Sequence, residues 1–320
     1  MLRTVSVTVV VVSRERFSGA QQSLESIYAH TDVPFDLVYV DGGSPPAIQR
    51  YLETASQAHG FTLVRTDYIL TPNEARNVGA TRVDSKYIVF IDNDVTVSPG
   101  WLEALVRCTE ETGAWVVGPL YLIGPPGTDV VHMAGGDMWF KEEGDRRIFC
   151  ERHRHANQRL GEVASQIRRE ACDSVEFHCM LVRRDAFDRL GPLDEQLMSS
   201  REHLDICLLV ADAGGTVYFE PASVVTYSPS RPLFPADRGY HLLRWSPEWN
   251  RRSVTRFAEK WNAMRDERAL RWLRRHRRSA YVYRWFKPLD PVLQPLLTWP
   301  ARRRRARGLE ARAAASSRSP

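Results

Sequence analysis

The stretch SKYIVFIDNDVTVSPGW, residues 85–101, decides the fold of this chain of 320 residues. Its apolar run from Tyr87 to Ile91 predicts a short buried strand. The run ends abruptly at Asp92-Asn93-Asp94, which places two carboxylates where the chain leaves the sheet. Such a pair suits a hard divalent cation, Mg²⁺ or Mn²⁺. Most acidic pairs in turns are structural or solvated, so the sequence on either side must decide between a metal site and a plain turn.

Strand and helix patterns alternate on both sides of this stretch. The expected strands are residues 5–13, 35–40 and 62–65, and the expected helices are residues 18–30, 46–59, 73–83 and 99–111. This alternation predicts an α/β fold with a mostly parallel sheet flanked by helices. Ligands of such sheets bind beyond the carboxyl ends of the strands. The segments of interest are therefore Ser13-Arg14, Asp41 to Ser44 and Asp92 to Asp94.

The pattern beyond residue 123 is less regular. Residues 124–169 are rich in Gly, Pro, His and Arg, which predicts an irregular insertion. A strand is expected at 175–182, followed by a helix at 204–213. Glu176 and His178 lie within that strand, and a buried charge needs a partner. Two interpretations stay open for them, a satisfied internal pair and a role in the site.

Five sequence blocks resemble the inverting glycosyltransferases of family 2, which have the GT-A fold. They are VSVTVVVVSR with SLESIYAHT, DLVYVDGGS, NEARNVGA, SKYIVFIDNDVTVSPGWLEAL, and HCMLVRRDAFDRLGPLDEQL with REHLDICLLVADAGGTVYFEPASVV. Each block is degenerate, but five blocks in the family's order, spread over residues 5–227, are specific.

The resemblance implies a nucleoside-diphosphate sugar donor and a divalent cation, Mn²⁺ or Mg²⁺, held by Asp92 and Asp94. Asp41 would accept a hydrogen bond from the nucleotide base, and Arg76 would bind phosphate, for which arginine is suited. The donor-binding residues expected from the strand ends and the blocks are Ser13, Arg14, Asp41, Arg76, Asn77, Asp92 and Asn93. Glu176 and His178 are expected on the acceptor side.

The catalytic base is where the chain departs from the family. The family's Glu-Asp pair reads Glu202-His203 here, with Asp205 following. Asp205 is the preferred base, because it shares one helix face with Glu202 by i,i+3 spacing. His203, as base or metal ligand, and Glu202 remain alternatives. Tyr227 stands where many members of the family have a metal-binding His.

The C-terminal region has its own composition. Residues 268–320 carry 15 of the 44 Lys and Arg residues but only 2 of the 39 acidic residues, interleaved with Trp, Tyr and Leu. This pattern favours the surface of an anionic membrane over nucleic acid, for which no recognisable module is present. The expected organisation is a catalytic domain over residues 1–265, a basic aromatic helical tail over 266–309, and disorder over 310–320.

With the family resemblance, which alone implies inversion, the sequence predicts an inverting, metal-dependent glycosyltransferase that acts on a cell-envelope glycan, a polysaccharide or a lipid-linked acceptor. The alternatives are a noncatalytic nucleotide-sugar or glycan-binding protein and a nucleotidyltransferase, whose Gly-rich signature after the first strand is missing. The odd number of cysteines, five, and the lack of CxxC spacing favour a cytosolic protein. No apolar run approaches the roughly 18 to 20 residues of a membrane span, so membrane association is expected to be peripheral, at the inner face of the cell membrane.

Overall fold

The structure, a computed structural model, describes residues 6–229, 233–278 and 284–316. The strands of these ranges are β1 (Val7–Val12), β2 (Asp36–Gly42), β3 (Thr62–Thr66), β4 (Tyr87–Asp92), β5 (Val95–Val97), β6 (Val116–Ile123), β7 (Val131–Met133), β8 (Gly136–Glu143), β9 (Arg146–His153), β10 (Glu170–Cys172), β11 (Cys179–Arg183) and β12 (Val217–Tyr227). The helices are α1 (Ala20–Ala29), α2 (Pro46–His59), α3 (Pro72–Ala80), α4 (Trp101–Thr112), α5 (Leu160–Val163), α6 (Arg184–Leu190), α7 (Glu202–Asp212), α8 (Pro235–Arg244), α9 (Pro247–Lys260), α10 (Glu267–Arg278) and α11 (Asp290–Ser316).

One sheet organises the molecule. Its strand order is β10-β12-β6-β11-β4-β1-β2-β3, with β5 and β7 paired to β12 and β6. The strands β4, β1, β2 and β3 are parallel, whereas β11 lies antiparallel between β4 and β6. The predicted α/β class, with a mostly parallel sheet flanked by helices, is confirmed.

The parallel register brings the predicted strand exits together. Val12, the last residue of β1, pairs with Asp92 of β4 and with Val40 of β2. The chain segments that begin at Ser13, Asp41 and Asn93 therefore leave the sheet side by side. These three segments, far apart in sequence, form one polar edge.

The strands β1 and β4 lie next to each other in the middle of the sheet. All residues of both strands are buried. α3 approaches β1 most closely at Gly79, where a Cβ atom would lie 2.3 Å from Cγ1 of Val10. Because any side chain at this position would push the helix outward, Gly79 sets how near α3 holds its polar residues to the strand ends.

The prediction of an irregular insertion was wrong in its central part. Residues 136–153 form an antiparallel hairpin of β8 and β9, paired from Gly136 with His153 to Glu143 with Arg146. Its turn includes Gly144, at a φ of 63°. Most residues of β8 are exposed or half-buried. The hairpin therefore lacks the strict alternation of apolar and polar residues by which a half-buried strand is recognised.

The basic C-terminal region is helical, as predicted, and it packs against the body of the protein. Leu273 of α10 is buried beside Trp245 and Val254, and Ala301 of α11 is buried in a cluster that includes Ile69 and Tyr240. These contacts connect the expected catalytic domain with the expected tail.

The prediction of disorder from residue 310 was wrong over its first part, since α11 continues to Ser316. The Ala-rich sequence there has a high helix propensity, and residues 317–320 lie outside the described ranges. No helix in the described part of the chain is long and apolar enough to cross a bilayer.

Candidate functional site

The acidic triplet Asp92-Asn93-Asp94 lies at the polar edge of the sheet and is buried, with at most 2% of any of its residues exposed. Arg76 donates to Oδ1 of Asp92 at 2.9 Å. The Nε atom of Arg14 lies 3.4 Å from Oδ2 of Asp92, and that of Arg16 lies 3.7 Å from Oδ2 of Asp94. Three guanidinium groups therefore surround two carboxylates, an arrangement that suits a bound diphosphate as well as the acids.

The triplet has spare ligand atoms. Within the described residues, Oδ2 of Asp92, both carboxylate oxygens of Asp94 and Nδ1 of His178 are buried without a hydrogen-bond partner. The Nδ1 atom of His178 lies 3.3 Å from Oδ2 of Asp92. Asp92, Asp94 and His178 form a group whose ligand atoms converge closely enough to hold one metal ion. Unsatisfied buried polar atoms are costly, so these residues fit a divalent cation.

Burial and the neighbouring cations act in opposite directions on the pKa values of Asp92 and Asp94. Burial raises the pKa of Asp94 to about 7, against the opposing charge of Arg16. Burial acts in the same direction on Asp92, but the charge of Arg76 and the nearby imidazole of His178 outweigh it and hold the pKa of Asp92 below its usual value. Desolvation and the charge of Arg14 lower the pKa of His178, which favours the neutral imidazole that binds metals.

Asp41, at the end of β2, forms the second part of the edge. Its carboxylate accepts hydrogen bonds from the backbone N–H and the hydroxyl of Ser44, at 2.9 and 2.8 Å, and it pairs with Arg65. The aspartate is 1% exposed. The group is thus held rigidly by the loop that follows its own strand and by the neighbouring strand β3.

Helix α3 presents Arg76 to the triplet. A capping box between Thr71 and Glu74 starts the helix, and the guanidinium carbon of Arg76 lies 3.9 Å from the centre of the Phe177 ring. Asn77, the next residue, contacts a neighbouring loop. Its amide donates to the backbone carbonyl of Leu193 and accepts from the backbone N–H of the same residue, both at 2.9 Å. The amide therefore fixes the 190s loop to α3 rather than facing a ligand.

The loop after β1 contributes more than was predicted. The backbone carbonyl of Ser13 accepts from Tyr240 of α8 at 2.8 Å, while that of Arg16 accepts from the side chain of Asn93 at 2.9 Å. Glu15 was missed, and it accepts from the hydroxyl of Tyr227 at 2.6 Å. Glu15 and Arg16 stand directly after the predicted pair Ser13-Arg14, so their position in the sequence was the available signal.

The three candidate bases at the start of α7 separate in space. Asp205, the preferred candidate, has both carboxylate oxygens bound, because Lys260 donates to its Oδ2 at 2.8 Å and Trp261 to its Oδ1 at 2.9 Å. Glu202 accepts from the buried Arg244 at 3.0 Å. The Nε2 atom of His203 lies 3.3 Å from Oε1 of Glu151 on β9.

Glu202 and His203 line one small cavity of about 20 Å³, together with Arg14, Arg76, Glu176, Phe177 and His178. This volume holds about one water molecule, whereas ligand pockets usually measure about 300 to 1,000 Å³. A ligand of that size requires the surrounding side chains to move apart. A larger cavity of about 350 Å³, lined by Thr8, Asp36 and Ser85, lies at the opposite ends of the strands and contains none of the predicted residues.

A network of imidazoles and carboxylates extends from His178 to His203. Glu176 lies 2.9 Å from Nε2 of His132 and 3.2 Å from Nε2 of His178. Burial alone would favour the neutral acid, but the two imidazoles hold the pKa of Glu176 well below its usual range. The next carboxylate, Glu151, lies 2.9 Å from Nε2 of His153.

His132, Glu151 and His153 were missed by sequence reasoning. Glu151 and His153 share one face of β9 by their two-residue spacing, but nothing local connects them to α7. Two further groups in the described ranges have the geometry to hold a metal ion, namely His132 with Glu176 and His178, and Glu151 with His153 and His203.

The site's sequence also matches a known family. The sequence profile of the family described as "Glycosyl transferase family 2" matches residues 8–191. The pre-mycofactocin glycosyltransferase of Mycobacterium tuberculosis (strain ATCC 25618 / H37Rv) is 25% identical over 69% of this chain and 42% of its own length. The glucosyl-dolichyl phosphate glucuronosyltransferase of Haloferax volcanii is 27% identical over 59% of this chain and 56% of its own length. The chain therefore spans about half the length of these curated relatives.

Solved structures share the fold. A crystal structure of GalNAc-T7 with UDP, GalNAc and Mn²⁺ aligns with a TM-score of 0.57 at 16% identity, over 92% of this chain and 58% of that one. The mannosyltransferase PcManGT of Pyrobaculum calidifontis, in complex with GDP-Man and Mn²⁺, aligns with a TM-score of 0.53 at 16% identity, over 97% and 75%. The profile covers more than half of this chain and ends beyond both the acidic triplet and Asp41, and on this match the chain belongs to glycosyl transferase family 2.

Proposed function

We propose that the protein transfers a sugar from a nucleoside-diphosphate sugar to an acceptor hydroxyl, with inversion at the anomeric carbon and with the help of a divalent cation. The observation that carries the proposal is the buried edge where Arg14, Arg16 and Arg76 surround the acidic triplet. Carboxylates suit a metal ion and arginines suit a diphosphate, so an edge that carries both suits a diphosphate with a bound metal ion better than it suits the metal ion alone or the diphosphate alone. The UDP or GDP-Man and the Mn²⁺ in the two structural neighbours support this assignment.

We assign the donor to the edge in two parts. Asp41, which Ser44 and Arg65 hold at the end of β2, is the residue we assign to accept an N–H of the nucleotide base. Arg14 and Arg76 bind the diphosphate, and Asp92, Asp94 and His178 supply the metal ligands. Many members of the family have a metal-binding His at the position of Tyr227. The Tyr227 hydroxyl donates to Glu15 instead, so we assign this ligand role to His178. When bound, Mn²⁺ or Mg²⁺ stabilises the charge of the departing diphosphate.

We assign the base to His203. Direct displacement requires a group that takes the proton from the acceptor hydroxyl. His203 lines the same cavity as Arg14 and His178, whereas Asp205 is bound by Lys260 and Trp261. The carboxylate of Glu151 orients the imidazole and stabilises the cation that forms on proton uptake.

The acceptor class we propose is a cell-envelope glycan, a polysaccharide or a lipid-linked acceptor, met at the cytoplasmic face of the cell membrane. The basic C-terminal helices support this location. A negatively charged leaflet attracts clustered arginines.

The experiment compares His203→Ala with Asp205→Asn, a variant of a residue on the same helix outside the cavity. A panel of UDP- and GDP-sugars is first screened for thermal stabilisation in the presence of Mn²⁺. Transfer and release of the nucleoside diphosphate are then measured with the stabilising donor. His203→Ala should lose transfer by about 10²- to 10⁴-fold, while Asp205→Asn should retain it.

Three outcomes would contradict parts of this proposal. An active His203→Ala enzyme would remove the base assignment. If the protein binds a donor but releases no nucleoside diphosphate with any acceptor tested, the alternative function of a noncatalytic nucleotide-sugar binding protein is favoured. Unchanged Mn²⁺ affinity in His178→Ala, measured by calorimetry, would remove His178 from the metal ligands.

A further inference from the structure

Helix α11 distributes its polar and apolar residues differently from a typical helix on the surface of a globular protein. Its inner face, which contacts the body, is largely polar or small and consists of Gln294, Thr298, Ala301, Arg305 and Gly308. The first four are buried, at 8% exposure or less. Amphipathic surface helices normally turn apolar residues inward and polar residues outward. On α11, Leu293 packs against Leu233 and Leu242 of the body, but the most exposed apolar side chains of the helix do not face the body.

They lie on the outer face of α11, which we define as Val292, Leu296, Trp299, Arg303 and Arg307. Spacings of three and four residues keep these five on one side of the helix. Val292 is 63% exposed, Leu296 65% and Trp299 57%. Neighbouring exposed apolar residues of this size mark an interaction surface rather than ordinary scatter.

The outer face is apolar in its first half and basic in its second half. The guanidinium of Arg303 lies 5.1 Å from the centre of the Trp299 ring. Arg304 flanks the face, and Arg303, Arg304 and Arg307 are all exposed. Glu310 is the one acidic residue between positions 292 and 312. A partner that covers this face must therefore be both apolar and negatively charged.

We propose that the outer face of α11 docks onto an anionic phospholipid bilayer. Trp, Leu and Val enter the boundary between headgroups and acyl chains, and the arginines bind the acidic headgroups. The aliphatic residues Val292 and Leu296 argue against nucleic acid, because they offer neither charge to phosphate nor a ring on which a base stacks.

The inner face fixes the orientation of the docked protein. Arg305 donates to both carboxylate oxygens of Glu74 at 2.7 Å and to the backbone carbonyl of Ile69 at 2.6 Å. Glu74 belongs to the capping box of α3, the helix that carries Arg76. Membrane contact through α11 therefore positions the donor side of the site relative to the bilayer, instead of tethering it by a loose tail.

This inference names the partner surface of the proposed transferase, but its test needs no turnover, so a failure of docking is distinguishable from a failure of transfer. The full chain is floated with vesicles of phosphatidylcholine alone and of equal parts of phosphatidylcholine and phosphatidylglycerol. We expect flotation with the anionic vesicles only.

Two variants of the outer face and two matched controls test the surface. The triple variant R303Q/R304Q/R307Q should bind anionic vesicles about a hundredfold more weakly, and L296S/W299S should also bind more weakly. The charge-matched control R50Q/R82Q/R146Q and the apolar control W139S/M264S change residues exposed outside the C-terminal helices and should bind like the wild type. Circular dichroism confirms that each variant is folded.

The inference is overturned if the full chain does not float with anionic vesicles at low salt. It is also overturned if the outer-face variants bind as well as their controls. Binding of single-stranded RNA that is lost in R303Q/R304Q/R307Q, without flotation, would assign the face to nucleic acid instead.

Discussion

Replacing Arg305 by Gln is expected to detach α11 from the body of the protein. In the native protein the two terminal nitrogens of Arg305 each donate to an oxygen of Glu74 at 2.7 Å. The two side chains are only 10% and 6% exposed. The substitution leaves the carboxylate of Glu74 buried beneath the helix without its cation.

Removing one partner of a buried ion pair costs about 3 to 5 kcal/mol, because the remaining charge is unpaired. Burial alone would raise the pKa of Glu74, but the hydrogen bond and the charge of Arg305 outweigh it and lower that pKa. A carboxyl with a lowered pKa stabilises the fold above its ordinary pKa and loses this contribution as the pH falls. The effect of Arg305→Gln should therefore be largest near neutral pH and shrink in acid.

The matched control is Arg302→Gln, three residues earlier on the same helix. Arg302 pairs with Glu248 at 2.5 Å, but these side chains are 35% and 64% exposed. Exposed ion pairs contribute only about 0 to 1 kcal/mol. Hydrogen exchange, followed separately for α11 and for α3, measures the opening of each helix.

In Arg305→Gln the amides of α11 should exchange faster by about two orders of magnitude or more, which corresponds to about 3 kcal/mol. In Arg302→Gln they should exchange less than about tenfold faster. Equal exchange rates in the two variants, or protection of α11 in Arg305→Gln equal to that of the wild type, would refute the role assigned to the buried pair.

Three further predictions concern protonation and packing. Because the pKa of Asp94 is raised to about 7, Mn²⁺ affinity measured by calorimetry should rise up to about tenfold per pH unit below 7 and level off above it; a flat profile from pH 6 to 8 would contradict this. The carboxylates around His153 outweigh burial and raise its pKa from 6.5 to about 9, so stability measured by urea unfolding should fall by at most about 3 kcal/mol between those pH values. His153→Asn should lose this dependence, whereas His155→Asn should keep it, because the half-buried His155 lies beside Gln158 and not beside a carboxylate. Gly308→Ala should lower the melting temperature, although Gly to Ala in a helix normally stabilises by about 1 kcal/mol, because its Cβ would lie 2.1 Å from Cδ1 of Tyr68; a higher melting temperature would show that α11 is not seated as described.

Local patterns predicted those parts of the protein that depend on neighbours in sequence. β1, β2 and β4 are apolar runs that end in polar residues, and parallel strands bring such ends to one edge. That rule was enough to predict from the sequence that Arg14, Asp41 and Asp92 lie at one edge of the sheet. The hairpin β8–β9 was not predicted, because most residues of its strands are exposed or half-buried and show no strong alternation of apolar and polar residues.

The acceptor side could not be predicted from local patterns. Asp205 and His203 lie two residues apart on α7, and spacing along the helix favoured Asp205. The difference is made by Lys260 and Trp261 at the end of α9, which bind Asp205, and by Glu151 on β9, which binds His203. Neither partner is close to α7 in the sequence.

The sequence by itself therefore determined the α/β sheet, the edge where the strands end, and the acidic triplet with Arg14 and Arg76, because strand periodicity and the polar residues that end each strand are local properties of the chain. The tertiary structure alone decided which residues of α7 line the cavity, that His178 lies beside Asp92, and that α11 turns Val292 and Trp299 outward. These outcomes depend on side chains that meet across 50 residues or more, and the free energy of such contacts leaves no periodic trace in the sequence.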